Sequence, residues 1–151
     1  MAGLDYLLAM KSGELPKPPF AGFMQIDIVS AEPGRVVFTG QPDESMYNAA
    51  GVIHGGVVGM LLDTVAECAL QSTLPAGKGY TSVEIKVNYL KTVRLDSGLL
   101  TATGTLLRRG RGSVSQKASS PTPVVQWWRR RRAHCYSSTI TSEFEADPDT
   151  R

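Results

Sequence analysis

A chain of 151 residues, 42% hydrophobic and 20% charged, has the make-up of one globular domain large enough to bury a core without staples. Two cysteines, Cys68 and Cys135, exclude a disulfide framework, and with no C-x-x-C pair no zinc or other metal is expected. The formal net charge is +2, yet no acidic residue lies between Asp96 and Glu143, where Arg108, Arg109, Arg111, Lys117 and Arg129 to Arg132 place eight cations, leaving −6 on the rest.

Taken in order, Met1 to Glu14 lacks the basic n-region and apolar h-region of a signal peptide, so the cytoplasm is the default compartment. Leu4, Leu7, Leu8 and Ala9 predict a short amphipathic helix ending before Gly13, and Pro16, Pro18 and Pro19 predict extended chain beyond it. Met24, Ile26 and Ile28 alternate with polar neighbours, Glu32-Pro33-Gly34 turns, and Arg35 to Gly40 follows, which predicts a hairpin. Gln41 to Tyr47 is loop.

Asn48 to Gln71 is the centre of the chain. Asn48 to Gly51 suits a turn, and a helix is predicted from near His54 to Gly56 onward, apolar all round except for a stripe of Asp63, Thr64, Glu67 and Gln71. Two mid-helix carboxylates make bilayer burial costly, so a sheet wrapped around the helix is the expected shelter and no membrane is implied. Thr81 to Val93 then alternates strongly: Val83, Ile85, Val87 and Tyr89 are expected on a packed face, with Ser82, Glu84, Lys86 and Asn88 opposite. Asp96 to Gly98 turns into a strand over Leu99 to Leu107. Gly110 to Arg132 shows no alternation long enough for a central strand, and only Tyr136 to Phe144 reads as extended again before an acidic tail. The chain is thus divided into a lead-in at 1–20, a folded core at 21–111, an atypical basic segment at 112–135 and a final segment at 136–151.

Chemistry concentrates on the central helix. His54-Gly55-Gly56 stands at its start, where unpaired N–H groups and the helix dipole favour a developing oxyanion, and Gly55 lets a carbonyl approach closely. Asn48 is placed to add an amide or to hold His54. The same glycines would also serve simple helix-to-sheet packing. Asp63 in an apolar helix requires a partner or a task, and Glu67 repeats the demand one turn later. His54 and Asp63 are nine residues apart, about 13 Å along an α-helix and on opposite sides, so one substrate can meet both only if two copies pair.

N-x-x-G-x-x-H-G-G, then Asp63, then T-S-V-E-I-K-V-N-Y-L resembles the hotdog-fold acyl-CoA thioesterases of the phenylacetic-acid-degradation (PaaI-like) type, over roughly residues 22–109. The resemblance implies an α+β hotdog fold, a long central helix wrapped by an antiparallel sheet, with sites at a dimer interface in a homodimer or dimer of dimers. It implies that Asn48, His54 and Gly55 polarise the thioester carbonyl of an acyl-CoA, and that the partner copy's Asp63 acts as nucleophile or general base. Ser82 resembles the family's hydroxyl that orients the water or the carboxylate. Lys91, Arg108, Arg109 and Arg111 are the candidates for the coenzyme A phosphates, and no cofactor is implied, coenzyme A being part of the substrate. Related enzymes carry a smaller polar residue at the position of Glu67.

The chain departs from that family after Arg111. Two further apolar strands are expected, and the shift to Ser, Pro, Trp and Arg looks instead like a changed reading frame or a divergence, which predicts disrupted C-terminal strands, an unpaired Thr81 strand, lower stability and aggregation. Two other functions follow from this. One is a non-catalytic acyl-CoA binder. The other is a nucleic-acid or anionic-surface binder, with Trp127 and Trp128 stacking on bases and Arg129 to Arg132 neutralising phosphates. No G-x-S-x-G elbow, phosphate loop or dinucleotide fingerprint is present.

Overall fold

The computed structural model of the protein describes residues 1–82, 85–109, 114–119 and 144–145. The predicted hairpin forms, with β1 at Ile26–Glu32 and β2 at Arg35–Gly40, and its tight turn uses Gly34 at φ 77°, a left-handed conformation that glycine adopts without penalty. Two later strands extend it, β4 at Leu100–Arg109 and β5 at Val114–Ser119. They make an antiparallel sheet of order β1-β2-β4-β5. Period-two alternation gives the sheet one apolar face: Ile26, Ile28, Val36, Phe38, Leu100 and Ala102 are buried, while Asp27 and Arg35 are exposed.

The long helix α3, Gly55–Gln71, lies across that face. Leu61, Leu62, Val65 and Ala69 pack into the same core as Val36 and Phe38, with Val36, Val65 and Ala69 fully buried. The approach is closest at β4, where a Cβ added to Gly104 would lie 1.9 Å from the Val65 carbonyl oxygen, so only glycine lets the helix sit this near. The fold is therefore α+β, a central helix against an antiparallel sheet.

The amphipathic N-terminal helix is α1, Gly3–Ser12, ended by Gly13 in the left-handed conformation. Leu7, Ala9 and Met10 are buried, whereas Leu8 is exposed. The chain past it corrects one expectation. Pro19 does not extend the chain but opens a short helix, α2, Pro19–Phe23, because a proline at the first helical position lacks only an N–H that would be unpaired anyway.

Two further expectations are corrected. Among the described residues of 81–93 none is in a strand, and of the face expected to be packed, Ile85 and Tyr89 are exposed. Alternation sets which side chains share a face, but a strand also needs a neighbour for its N–H and C=O groups, and no ladder of the described residues reaches 81–93. Conversely, Val114–Ser119 does form a strand, antiparallel to β4 from Arg109↔Val114 to Thr103↔Ser119. β4, close before it in the sequence, supplies its partner, so six residues of weak alternation suffice. From the expected C-terminal strand only Phe144 is described; with Glu145 it forms β6, which pairs with β3 at Lys78–Gly79. The remainder of that strand, Trp127 to Arg132, His134 and Cys135 lie outside the described residues. Among the described residues no helix is long and apolar enough to cross a membrane.

Candidate active site

Two groups of polar residues lie along α3. The first is at its start. The chain enters through a turn in which the Asn48 side-chain oxygen accepts from the Ala50 N–H at 2.9 Å and the Val52 N–H at 3.4 Å, so Asn48 shapes the loop and does not hold His54. His54 is the N-cap: its Nδ1 accepts from the Gly56 N–H at 2.9 Å, which puts the ring proton on Nε2 and keeps that nitrogen as a donor. The Val57 N–H is taken by the His54 carbonyl, leaving the Gly55 N–H without a bond among the described residues. Tyr89 covers this end. Its hydroxyl donates to the Gly55 carbonyl at 2.9 Å, and a Cβ at Gly55 would come 3.3 Å from its ring.

The second group is at mid-helix. The stripe of Asp63, Thr64, Glu67, Cys68 and Gln71 is half-buried while its helical neighbours Leu61, Leu62, Val65, Ala66, Ala69 and Leu70 are buried against the sheet. Ser82, on the returning chain, places its hydroxyl 3.2 Å from Asp63 Oδ1 and in close contact with Glu67 Oε1. Burial pushes the Glu67 carboxyl up, with the Asp63 charge acting in the same direction and the Ser82 hydrogen bonds acting against both. Beside it, burial pushes the Cys68 thiol up to about 12 and raises Tyr80 as well.

Glu67 and Cys68 also line a cavity of about 230 Å³ between α3, α1, α2 and the hairpin. Tyr6, Leu7, Met10, Phe20, Ile26, Ile28, Phe38 and Tyr80 complete walls that are predominantly apolar. Lys17, which borders it, is engaged in an ion pair with Asp27.

The predicted residues thus separate into places. Asn48, His54 and Gly55 share the helix start, and Lys91 is exposed near it, since the Ile53 N–H bonds the Val93 carbonyl. Asp63 and Ser82 are together one end of the stripe away. Gly55 and Asp63, eight residues apart, are about 12 Å apart along α3, so one chain does not bring them together. Arg108 and Arg109 end β4, beyond Gly104 in the direction of the helix C-terminus, so their backbones lie far from Lys91; Arg111 lies outside the described residues. Sequence reasoning missed Tyr89 as a contact of Gly55 and the cavity walls from α1 and α2. The only signal for Tyr89 was its place in an alternating run, which pointed it to the core; for the cavity it was the amphipathic lead-in, which spacing cannot dock.

A long helix crossing an antiparallel sheet, with a serine-held carboxylate at its middle and a glycine N–H unbonded among the described residues at its start, has the architecture of a hotdog fold. The family model of the thioesterase superfamily matches residues 50–116, from the turn after Asn48 into β5. The chain is 31% identical over 87 residues to human acyl-coenzyme A thioesterase 13, a match covering 58% of this chain and 61% of that relative's length. Among solved structures, a phenylacetic acid degradation-related protein of Ralstonia eutropha superposes with a TM-score of 0.69 at 23% identity, covering 90% of this chain and 96% of that one. The E. coli PaaI protein gives 0.64 at 21% identity, with 81% and 88% covered. These two likenesses establish the hotdog fold.

Proposed function

We propose that the protein hydrolyses an acyl-CoA thioester to the free acid and coenzyme A, at a site completed by two copies of the chain. The observation that carries this reading is the Asp63 carboxylate held on the half-buried face of α3 by Ser82, in a chain whose relatives include an acyl-coenzyme A thioesterase. The Gly55 N–H and His54 Nε2–H of one copy polarise the thioester carbonyl. Asp63 of the other copy attacks the carbonyl carbon, or removes a proton from the water that does. On the water route the water oxygen bonds to the carbonyl carbon, the C–S bond breaks and the proton taken by Asp63 passes to the leaving sulfur; on the covalent route the C–S bond breaks to leave an acyl anhydride on Asp63, which a water then hydrolyses to the free acid, its proton going to the coenzyme A thiolate. The 12 Å between Gly55 and Asp63 supports the two-copy arrangement, because a reacting carbonyl must lie within about 3 Å of both its donors and its nucleophile. The apolar cavity beside Glu67 fits a medium-chain or aryl acyl group. Lys91, Arg108 and Arg109 are candidates for the coenzyme A phosphates; since they lie toward opposite ends of α3, a given site draws on one group or the other, or on both through the pairing.

An acyl-CoA panel followed by release of free thiol tests this. The expected result is turnover of at least one aryl or medium-chain thioester that Asp63→Asn abolishes; equal rates in the two proteins contradict it, and bound but unhydrolysed acyl-CoA identifies a non-catalytic binder.

A further inference from the structure

Glu67 is the charged residue of the described site that the proposed reaction leaves without a task. It stands one turn beyond Asp63, and its carboxyl and that of Asp63 share one hydroxyl, Ser82 Oγ, at 3.2 Å from Asp63 Oδ1 and in closer contact with Glu67 Oε1. A hydroxyl owns one proton. If both carboxyls were ionised, Ser82 could donate to only one of them, and two anions would face each other across a single oxygen on a half-buried surface. A proton on one carboxyl resolves the conflict, because that acid then donates to Ser82 Oγ while Ser82 donates onward.

We infer that Glu67 is a positioning residue that acts in its protonated form, donating to Ser82 Oγ so that the Ser82 hydroxyl is turned toward Asp63. The direction Glu67 to Ser82 to Asp63, rather than the reverse, follows from the surroundings. Glu67 borders the apolar cavity, whereas Asp63 does not. The groups facing Glu67 from the packed elements are Asp63 and Cys68 on α3, Tyr6 on α1, and Tyr80 and Ser82 on the returning chain; the cation bordering the cavity, Lys17, is engaged by Asp27. None of these supplies positive charge to an ionised Glu67, and its carboxyl is accordingly raised, by burial first. An acyl group filling the cavity removes more water from the carboxyl and strengthens the same state. Glu67 thus keeps Asp63 as the ionised, serine-oriented member of the pair, and the relay opens when Glu67 loses its proton.

The relay rests on the proposed thioester hydrolysis for its purpose but not for its existence, so it is tested with and without activity. Side-chain carboxyl NMR of the intact chain is expected to show Glu67 titrating above the exposed glutamates and shifting down in Asp63→Asn, which removes a like charge. In kcat/KM profiles the wild type declines on the alkaline side as Glu67 ionises. Glu67→Gln, whose amide still donates to Ser82, stays within a few-fold of wild type near neutrality and lacks that decline. Glu67→Ala loses roughly ten- to a hundredfold near neutrality. A Glu67 that titrates with the exposed carboxylates, or a Gln variant that keeps the alkaline decline or falls as far as the Ala variant, overturns the inference. If no acyl-CoA is turned over, the proposed function fails and the NMR titrations alone decide the relay.

Discussion

The two faces of α3 are made of the same helix and have opposite chemistry. On the sheet side, Leu61, Val65 and Ala69 pack on Val36, Phe38 and Ala102, and at Gly104 the backbones approach too closely for any side chain. On the other side, Asp63, Glu67 and Cys68 stay half-buried under Ser82, Tyr80 and a cavity. The first face is continuous with a four-stranded ladder; the second meets the stretch 81–93, whose described residues form no ladder. The contrast shows how a protein separates fold from chemistry on one element. Packing density is spent where nothing reacts, and polar groups are held where water and substrate reach them.

Substitutions on the two faces should therefore fail in different ways. The largest effect is expected on the polar face: Asp63→Asn lowers kcat by roughly a thousandfold while leaving the urea midpoint near wild type. A variant that instead loses stability would move Asp63 to the structural side of the comparison. On the packed face, Gly104→Val drives a side chain into the Val65 carbonyl and should cost about 3 kcal/mol or more, read from urea unfolding; retention of wild-type stability would show that α3 and β4 can part without loss.

Cys68 lies on the boundary. With its thiol pushed up to about 12, its thiolate at pH 8 is scarce, and alkylation followed by peptide mapping should run on the order of a thousandfold slower than for an exposed cysteine. Fast labelling would mean that the cavity side opens readily.

The smallest effect concerns Glu67 and stability. Its folded carboxyl is raised above the ordinary 4.5, so the folded state keeps a proton that the unfolded chain has lost. Stability therefore falls as pH rises from about 4.5 to the folded value and is level beyond it. The wild-type urea midpoint should show this step and that of Glu67→Gln should not; identical profiles would remove the coupling between burial and protonation.

How much of this was legible before the fold was known follows the same division. The helix, its polar stripe and the hairpin were readable because period and turn chemistry are local: Asp63 and Glu67 could be seen as misfits among leucines and valines, and Gly34 as a turn. The missing neighbour of 81–93 was foreseen, but its described residues then form no strand, and the strand at 114–119 was missed because pairing is not local. The better alternation lacks a neighbour among the described residues, and the poorer one has β4 beside it. Asn48 was placed in the right loop, but its oxygen goes to the Ala50 and Val52 amides, a choice set by a turn geometry that residue type alone does not reveal. The Ser82 bridge between the two carboxylates needed the returning chain to come within 3.2 Å of Asp63, which no spacing along the helix could show.

The central claim is that the start of α3 and its middle act on the same thioester only across two copies. Mixing two inactive chains tests it most directly. Asp63→Asn retains the helix start and His54→Ala retains the carboxylate, so refolding them together at equal amounts should form hybrids with one intact site and recover about a quarter of wild-type hydrolysis. A mixture no more active than either variant alone would place His54 and Asp63 in the same site of one chain, or outside the reaction, and contradict the account.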